Sequence, residues 1–339
     1  MWPKPVSISG TRRRVGIELG KLGRGRLEPY LDQSPLWAAL RPWCGHAYLD
    51  ELAGRAQSAL PAIWQEFEGM AEGLRMAPTD LLLWQCRGDL LHPAADGCTS
   101  IAWRGRDGVR WIGHNEDGDA YLHGKCAMVD VRPGDAPGYV AFAYPGSLPG
   151  HAFGANHAGL VQAIDSVRMR SRRPGVPRLF LARAVLDCET LDDAVQMLQT
   201  HPRAGGLHHL LGAANDPRLL GVESAPGLCS VASIERGAAH TNHLVHSGAA
   251  TMRQAVTDSS RARQRRVENL MDQWDADSGA QQILAALQDT EGDAPVLRHS
   301  ANDPDGENTL ATALFEMRDG GLSLHLYDRG KEVASLPIV

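Results

Sequence analysis

The residues Asp96-Gly97-Cys98-Thr99-Ser100 place a thiol directly after a glycine, where the loop His92-Pro93-Ala94-Ala95 runs into a strand-like segment. Cysteine is the best side-chain nucleophile near neutral pH, because a few per cent of even a free thiol is thiolate there. The glycine before it admits backbone conformations that a Cβ forbids. On these residues alone two readings stand: a tight turn before a buried cysteine, since free Cys is among the most buried residue types, or a peptide bond built to be broken. His240-Thr241-Asn242-His243 is a second place where chemistry could reside. Histidines three apart could ligate a metal on a helix, but no HExxH pattern accompanies them. In a strand they would point to opposite faces. A metal-dependent hydrolase using His240 and His243 is therefore a minor alternative, and no metal or cofactor is expected.

A hairpin must aim the thiol. Asp107-Gly108 lies between two strand-like runs, and Asp-Gly is a strong signal for a two-residue turn. If these two residues are the whole loop, Arg106 pairs with Val109, and counting outward sets Cys98 opposite Asp117. Opposed residues share a face of the sheet with Cβ atoms about 5 Å apart. The expectation is a thiol beside the Asp117 carboxylate at the open end of the hairpin. Judged without the cysteine, Asp117 also reads as a loop acid within Asn115-Glu116-Asp117-Gly118-Asp119.

Around this hairpin the chain alternates blocks of helix and strand. The stretch 48–76 carries apolar residues at helical intervals, broken by Pro61, and Thr79 reads as an N-cap. Short strands are expected at 101–103, 109–112, 127–131 and 139–143. Two helices at 179–186 and 191–199 follow, the second capped by Thr190. Further strands at 208–214, 219–223 and 229–234 precede helices at 261–274 and 280–287. The chain closes with strands at 309–317, 322–327 and 332–336, the first two joined by the turn Asp319-Gly320-Gly321. With no repeat and no low-complexity linker, residues 1–339 read as one domain of helical layers on antiparallel sheets.

Composition narrows the function. With 339 residues, 43% of them hydrophobic, the chain can bury a large core. A net charge of −6 argues against a nucleic-acid partner. Arg12-Arg13-Arg14 is a basic exception, and so is the cluster Arg261, Arg263, Arg265 and Arg266. That cluster lies in a helical pattern with Val267, Leu270, Met271 and Trp274 on its apolar side, so a solvated face is expected. No apolar run approaches the roughly 18 residues that span a bilayer, and Met1-Trp2-Pro3-Lys4-Pro5 lacks a signal peptide's apolar core. The six cysteines show no CxxC spacing, hence neither a zinc site nor a disulfide framework. A soluble, cytoplasmic protein without a membrane partner is expected.

Asp96-Gly97-Cys98-Thr99, Gly113-His114-Asn115-Glu116-Asp117 and His240-Thr241-Asn242-His243, in this order, resemble the isopenicillin N acyltransferase family. These are self-processing N-terminal-nucleophile (Ntn) hydrolases, related more distantly to bile salt and penicillin V amidases. Residues 7–20 resemble the family's Gly-rich opening, 154–160 its Asn-x-x-Gly strand, and Gly175-Val176-Pro177 leads into the following helix as it does there. Glu116 departs from the aromatic residue of the fungal penicillin-making members, and the spacing from Cys98 to Asp117 is one residue shorter. The resemblance implies an α+β fold, a four-layer αββα sandwich.

It also implies autocleavage at Gly97–Cys98. An amide nitrogen is no base; once the bond is cut, the α-amine of Cys98, with a reference pKa of about 7.7–8.0, can take the thiol proton. Cys98 would first attack the Gly97 carbonyl in an N-to-S acyl shift, and water would release an alpha (pro) fragment, 1–97, from a beta (catalytic) fragment, 98–339. The two would stay associated. The mature enzyme would form a thioester on Cys98 from a small-molecule amide and pass the acyl group to water, or to an amine or acyl-CoA co-substrate. Asn242 is the first candidate to hold the oxyanion and Asn156 the second. Asp117 would orient the new ammonium, and Arg298 would favour the thiolate. The alternative is an unprocessed, catalytically silent Ntn-like binding scaffold.

Overall fold

The computed structural model describes residues 4–91, 97–292, 294–300 and 306–339. Asp96 and the loop 92–95 therefore lie outside the described residues. Seven helices precede Cys98 among them: α1 (Arg12–Gly23), α2 (Glu28–Leu31), α3 (Pro35–Leu40), α4 (Ala47–Ala59), α5 (Pro61–Leu74), α6 (Pro78–Gln85) and α7 (Arg87–Leu90). Pro61 starts α5 at a position where no backbone N–H is needed, which is why the long helical pattern breaks there. Pro78 does the same for α6, so Ala77 is its cap residue, not Thr79. α1 and α5 meet through small residues. A Cβ on Gly16 or Gly20 would collide with the backbone of α5, and one on Gly69 or Gly73 with that of α1.

Two sheets form the middle layers. The eight-stranded sheet runs β1 (Val6–Gly10), β4 (Ala127–Pro133), β5 (Tyr139–Ala143), β6 (Phe153–Asn156), β7 (Leu160–Val167), β8 (Gly206–Ala213), β9 (Asp216–Ala225), β10 (Leu228–Ser233). Only its β1–β4 pair is parallel. The six-stranded sheet runs β11 (Gly237–His240), β2 (Cys98–Arg104), β3 (Arg110–Asp119), β12 (Glu307–Arg318), β13 (Gly321–Asp328), β14 (Lys331–Pro337). Its strands are antiparallel throughout.

Helices cover both outer faces. α1, α5, α8 (Arg178–Val185) and α9 (Leu191–Thr200) lie on the side of the eight-stranded sheet. α10 (Asp258–Met271) and α11 (Ala280–Leu287) lie on the other, where Ile101, Trp103, Val267, Ile283 and Leu287 form a separate core. Thr190 caps α9 as expected, its Oγ1 accepting from the Asp193 N–H at 3.1 Å. The order helix, sheet, sheet, helix is the αββα sandwich. No described helix is long and apolar enough to cross a membrane.

The β2–β3 hairpin corrects one expectation. Gly105 N–H donates to the Val109 carbonyl at 3.0 Å, leaving Arg106-Asp107-Gly108 as a three-residue loop with Gly108 at φ +78°. A turn closed by a left-handed glycine inserts one residue more than a two-residue turn. The register moves by one, and Cys98 pairs with Glu116 instead of Asp117. Because side chains alternate across a strand, that single step decides which carboxylate faces the thiol.

Candidate active site

Cys98 opens β2 with 4% of its surface exposed, and its side chain points between the two sheets. Sγ lies 3.6 Å from Glu116 Oε2. Glu116 is in turn held by Tyr144, whose hydroxyl donates to Oε1 at 2.6 Å, and by His114 Nε2, 3.1 Å from Oε2. Behind His114, Ser100 Oγ sits 2.9 Å from Nδ1 and donates to Asp165 Oδ1 at 2.9 Å. Glu116 went unrecognised in the sequence because the hairpin loop was counted one residue short.

The Gly97–Cys98 bond is held on both sides. Cys98 N–H donates to Asn242 Oδ1 at 3.0 Å, and the Gly97 carbonyl accepts from the Asp117 N–H at 2.9 Å. The Asn242 carboxamide nitrogen donates to the Ser166 carbonyl at 3.2 Å. A Cβ at Gly97 would run into Glu307 Oε2 and Arg298 Nη1, so a side chain here has to push this buried ion pair aside.

Asp117 is brought beside this bond, but by its backbone. Its carboxylate lies on the opposite face of β3 from Glu116, accepting from Thr309 Oγ1 at 2.6 Å with Arg298 Nη1 3.9 Å away. Burial pushes this carboxyl above its usual range, against the Arg298 and Arg263 guanidiniums, which pull it down. Arg298 is 2% exposed and ion-paired with Glu307, and both side chains border Gly97.

The arginine that reaches Cys98 is Arg263. It is 1% exposed, donates from Nη1 to the Cys98 carbonyl and to Thr99 Oγ1 (2.8 Å), and from Nη2 to Asn242 Oδ1 at 2.7 Å. This corrects the expectation of a solvated face for the whole arginine cluster. The signal was present: Ser260, Arg263, Gln264 and Val267 recur at helical spacing and are the buried stripe of α10.

Asn156 is not brought to the thiol. Its Nδ2 donates to the carbonyls of Leu186 (3.1 Å) and Cys188 (2.7 Å), and its Oδ1 accepts from the N–H groups of Ala158 and Leu160 at 3.1 and 3.0 Å. With its amide donors spent on the carbonyls at the end of α8 and its oxygen on the β6–β7 turn, it has no donor left for an oxyanion, which corrects its expected role.

Two groups of described residues gather possible metal donors, Cys98–His114–Glu116 and Asp165–His208–His240. Neither joins His240 to His243. His240 stacks on His208 with ring centroids 3.6 Å apart and bonds Glu223 Oε1 at 3.0 Å, whereas His243 bonds Ser260 Oγ at 2.8 Å. His208 Nδ1 meets Asp165 Oδ2 at 2.8 Å and His240 Nδ1 lies 3.3 Å from the same oxygen. Burial would raise the Asp165 carboxyl, but hydrogen bonds from His208 and His240 hold it well below its usual range.

A four-layer αββα sandwich with a buried cysteine, after a glycine, at the start of β2 is the architecture the resemblance implies. The model of the acyl-coenzyme A:6-aminopenicillanic acid acyl-transferase family matches residues 103–331, and the chain belongs to that family. It is similar to the β-alanyl-dopamine/carcinine hydrolase of Drosophila melanogaster, 26% identical over 220 residues, 56% of this chain and 55% of the relative. The chain thus spans about half the length of the curated relative it matches. Among solved structures it is similar to a variant of the conjugated bile acid hydrolase of Clostridium perfringens, with a TM-score of 0.47 at 14% identity over 71% of this chain and 92% of that one. Penicillin V acylase of Agrobacterium tumefaciens gives 0.45 at 15% identity, over 68% and 83%.

Proposed function

We propose that the chain is a cysteine Ntn amidohydrolase or acyltransferase that cuts itself at Gly97–Cys98 and then cleaves or transfers the acyl group of a small amide. The observation that carries the reading is the clamp on that bond. The Cys98 nitrogen rests on Asn242 Oδ1 and the Gly97 carbonyl oxygen on the Asp117 N–H, at 3.0 and 2.9 Å. A donor already aimed at the carbonyl oxygen is what a tetrahedral intermediate needs, and such a donor contributes about 3–4 kcal/mol in comparable sites.

After cleavage the fragments 1–97 and 98–339 stay together, because buried Glu66 and Arg12 of the first are ion-paired with Arg183 and Asp187 of the second, and β1 stays paired with β4. Asn242 then holds the new α-amine, which takes the thiol proton. Arg263 fixes both Asn242 and the Cys98 carbonyl. The Asp117 N–H, released by Gly97, donates to the carbonyl oxygen of the incoming amide, with Arg298 and Thr309 holding the Asp117 side chain in place. Sγ attacks, the amine leaves with a proton, and water or an amine resolves the thioester.

N-β-alanyl amides are the first substrates to try, by similarity to the carcinine hydrolase. The test is a panel of N-acyl amides, β-alanyl amides included, given to purified protein and quenched in acid. An acyl adduct on Cys98 that grows with substrate and is absent from Cys98→Ala supports the reading. Turnover without Cys98, or binding without turnover as in the scaffold alternative, sinks it.

A further inference from the structure

Before cleavage Cys98 has no amine, so the proton on its sulfur has to leave by another route when the sulfur attacks. We propose that Glu116 is the general base of self-processing, taking the thiol proton in the intact chain and passing that task to the Cys98 α-amine afterwards. This rests on the processing reading above. Its support is geometric. Glu116 Oε2 lies 3.6 Å from Sγ, within reach of a thiol donor, on the same face of the same strand pair. Tyr144 on Oε1 and His114 on Oε2 fix the carboxylate plane at 2.6 and 3.1 Å. The Tyr144 hydroxyl donates to Oε1, and a hydrogen bond of that kind favours the ionised carboxylate, the state a base requires. His114 is itself locked by Ser100 at 2.9 Å, so the carboxylate is held without movable parts.

The step balances as follows. The proton moves from Sγ to Oε2 as Sγ bonds the Gly97 carbonyl carbon, and the carbonyl electron pair moves onto oxygen at the Asp117 N–H. Collapse breaks the C–N bond, and the nitrogen takes up the proton from Oε2 to become the α-amine. A cavity of about 20 Å³ bounded by Cys98, Glu116 and Tyr144 has room for one water. Glu116 accepts a proton from that water as it attacks the thioester and hands it to the leaving sulfur, giving the free thiol and the Gly97 carboxylic acid, which ionises to solvent. One water is consumed and no other reactant is needed.

The groups facing the carboxylate are Cys98, His114, Tyr144 and Cys126, with Arg87, His151 and Arg178 across the cavity. The experiment follows cleavage of freshly translated full-length chain after dilution into buffers from about pH 5 to 9, by intact mass. The wild type is expected to cleave with an acid limb. Glu116→Gln should slow cleavage by about 100-fold and lose the limb, while Glu116→Asp recovers both in part. Cleavage of Glu116→Gln within about threefold of wild type overturns the inference. Should Glu116→Gln fail to fold, Tyr144→Phe reads the same contact. Losing a hydrogen bond to the charged form moves the limb to higher pH, and an unmoved limb overturns the inference. A wild-type chain that stays whole overturns the processing reading instead.

Discussion

Arg263→Ala removes a guanidinium that binds Cys98, Thr99 and Asn242 together. It is 1% exposed and makes hydrogen bonds to four acceptors, the Cys98 carbonyl, Thr99 Oγ1, Asn242 Oδ1 and Ser259 Oγ. Each hydrogen bond to a charged group contributes about 1.5–3 kcal/mol, but the bonds are not additive. Removing one partner of a buried charged network costs about 3–5 kcal/mol, because the acceptors left behind stay dry. A loss of about 4 kcal/mol is expected. With an unfolding entropy of about 2.1 cal/mol/K per residue, a 339-residue domain then melts about 6 °C lower. The assay is calorimetry in a Cys98→Ala background, so that every sample is one intact chain. Arg263→Lys should fall between, since a single ammonium replaces a fork that reaches all four acceptors. A drop below about 1 °C for Arg263→Ala would place this residue outside the network and refute the reasoning.

Gly97→Ala should slow self-cleavage strongly, because its Cβ runs into Glu307 and Arg298 and shifts the carbonyl from the Asp117 N–H; cleavage at the wild-type rate by intact mass would contradict this. Asn156→Ala should lower the melting temperature by taking the side-chain partner from four backbone groups, two in the β6–β7 turn and two at the end of α8, while folded material still cleaves; folded but uncleaved protein would return Asn156 to the site. Stability should peak near pH 6.5. Burial, with the His240 charge beside it, pulls His208 from 6.5 down to about 4, so the unfolded chain binds the extra proton and stability falls as pH drops through that window. Burial opposes protonation of His240 too, yet hydrogen bonds to Asp165 and Glu223 hold it up at about 9, so its contribution is full below 6.5 and lost as pH rises to about 9. His240→Gln should flatten the alkaline side of the denaturation profile, and a wild-type profile already flat there would contradict the assignment.

Local structure was readable wherever local chemistry decides it. The Thr190 cap, the strand Tyr139–Ala143 and the helix Ala280–Leu287 follow from capping and periodicity and stand at the expected residues. The site was readable in part. Cys98 and Asn242 are 144 residues apart and meet through one hydrogen bond, a pairing no periodicity encodes and only the family resemblance suggested. The carboxylate facing the thiol was misassigned because Asp-Gly fits both a two-residue loop and the end of a three-residue one, and a strand turns that one-residue difference into the opposite face. Arg263 was passed over because Arg261, Arg265 and Arg266 share its charge. Its phase with Ser260 and Val267 distinguishes it, and residue type alone does not.

The intact mass of the purified protein, measured beside Cys98→Ala, tests the central claim most directly. The account predicts two co-purifying chains of 97 and 242 residues for the wild type, the second beginning at Cys98, and a single chain near 36.7 kDa for Cys98→Ala. A wild-type sample that hydrolyses or transfers an amide while remaining one species near 36.7 kDa would contradict it.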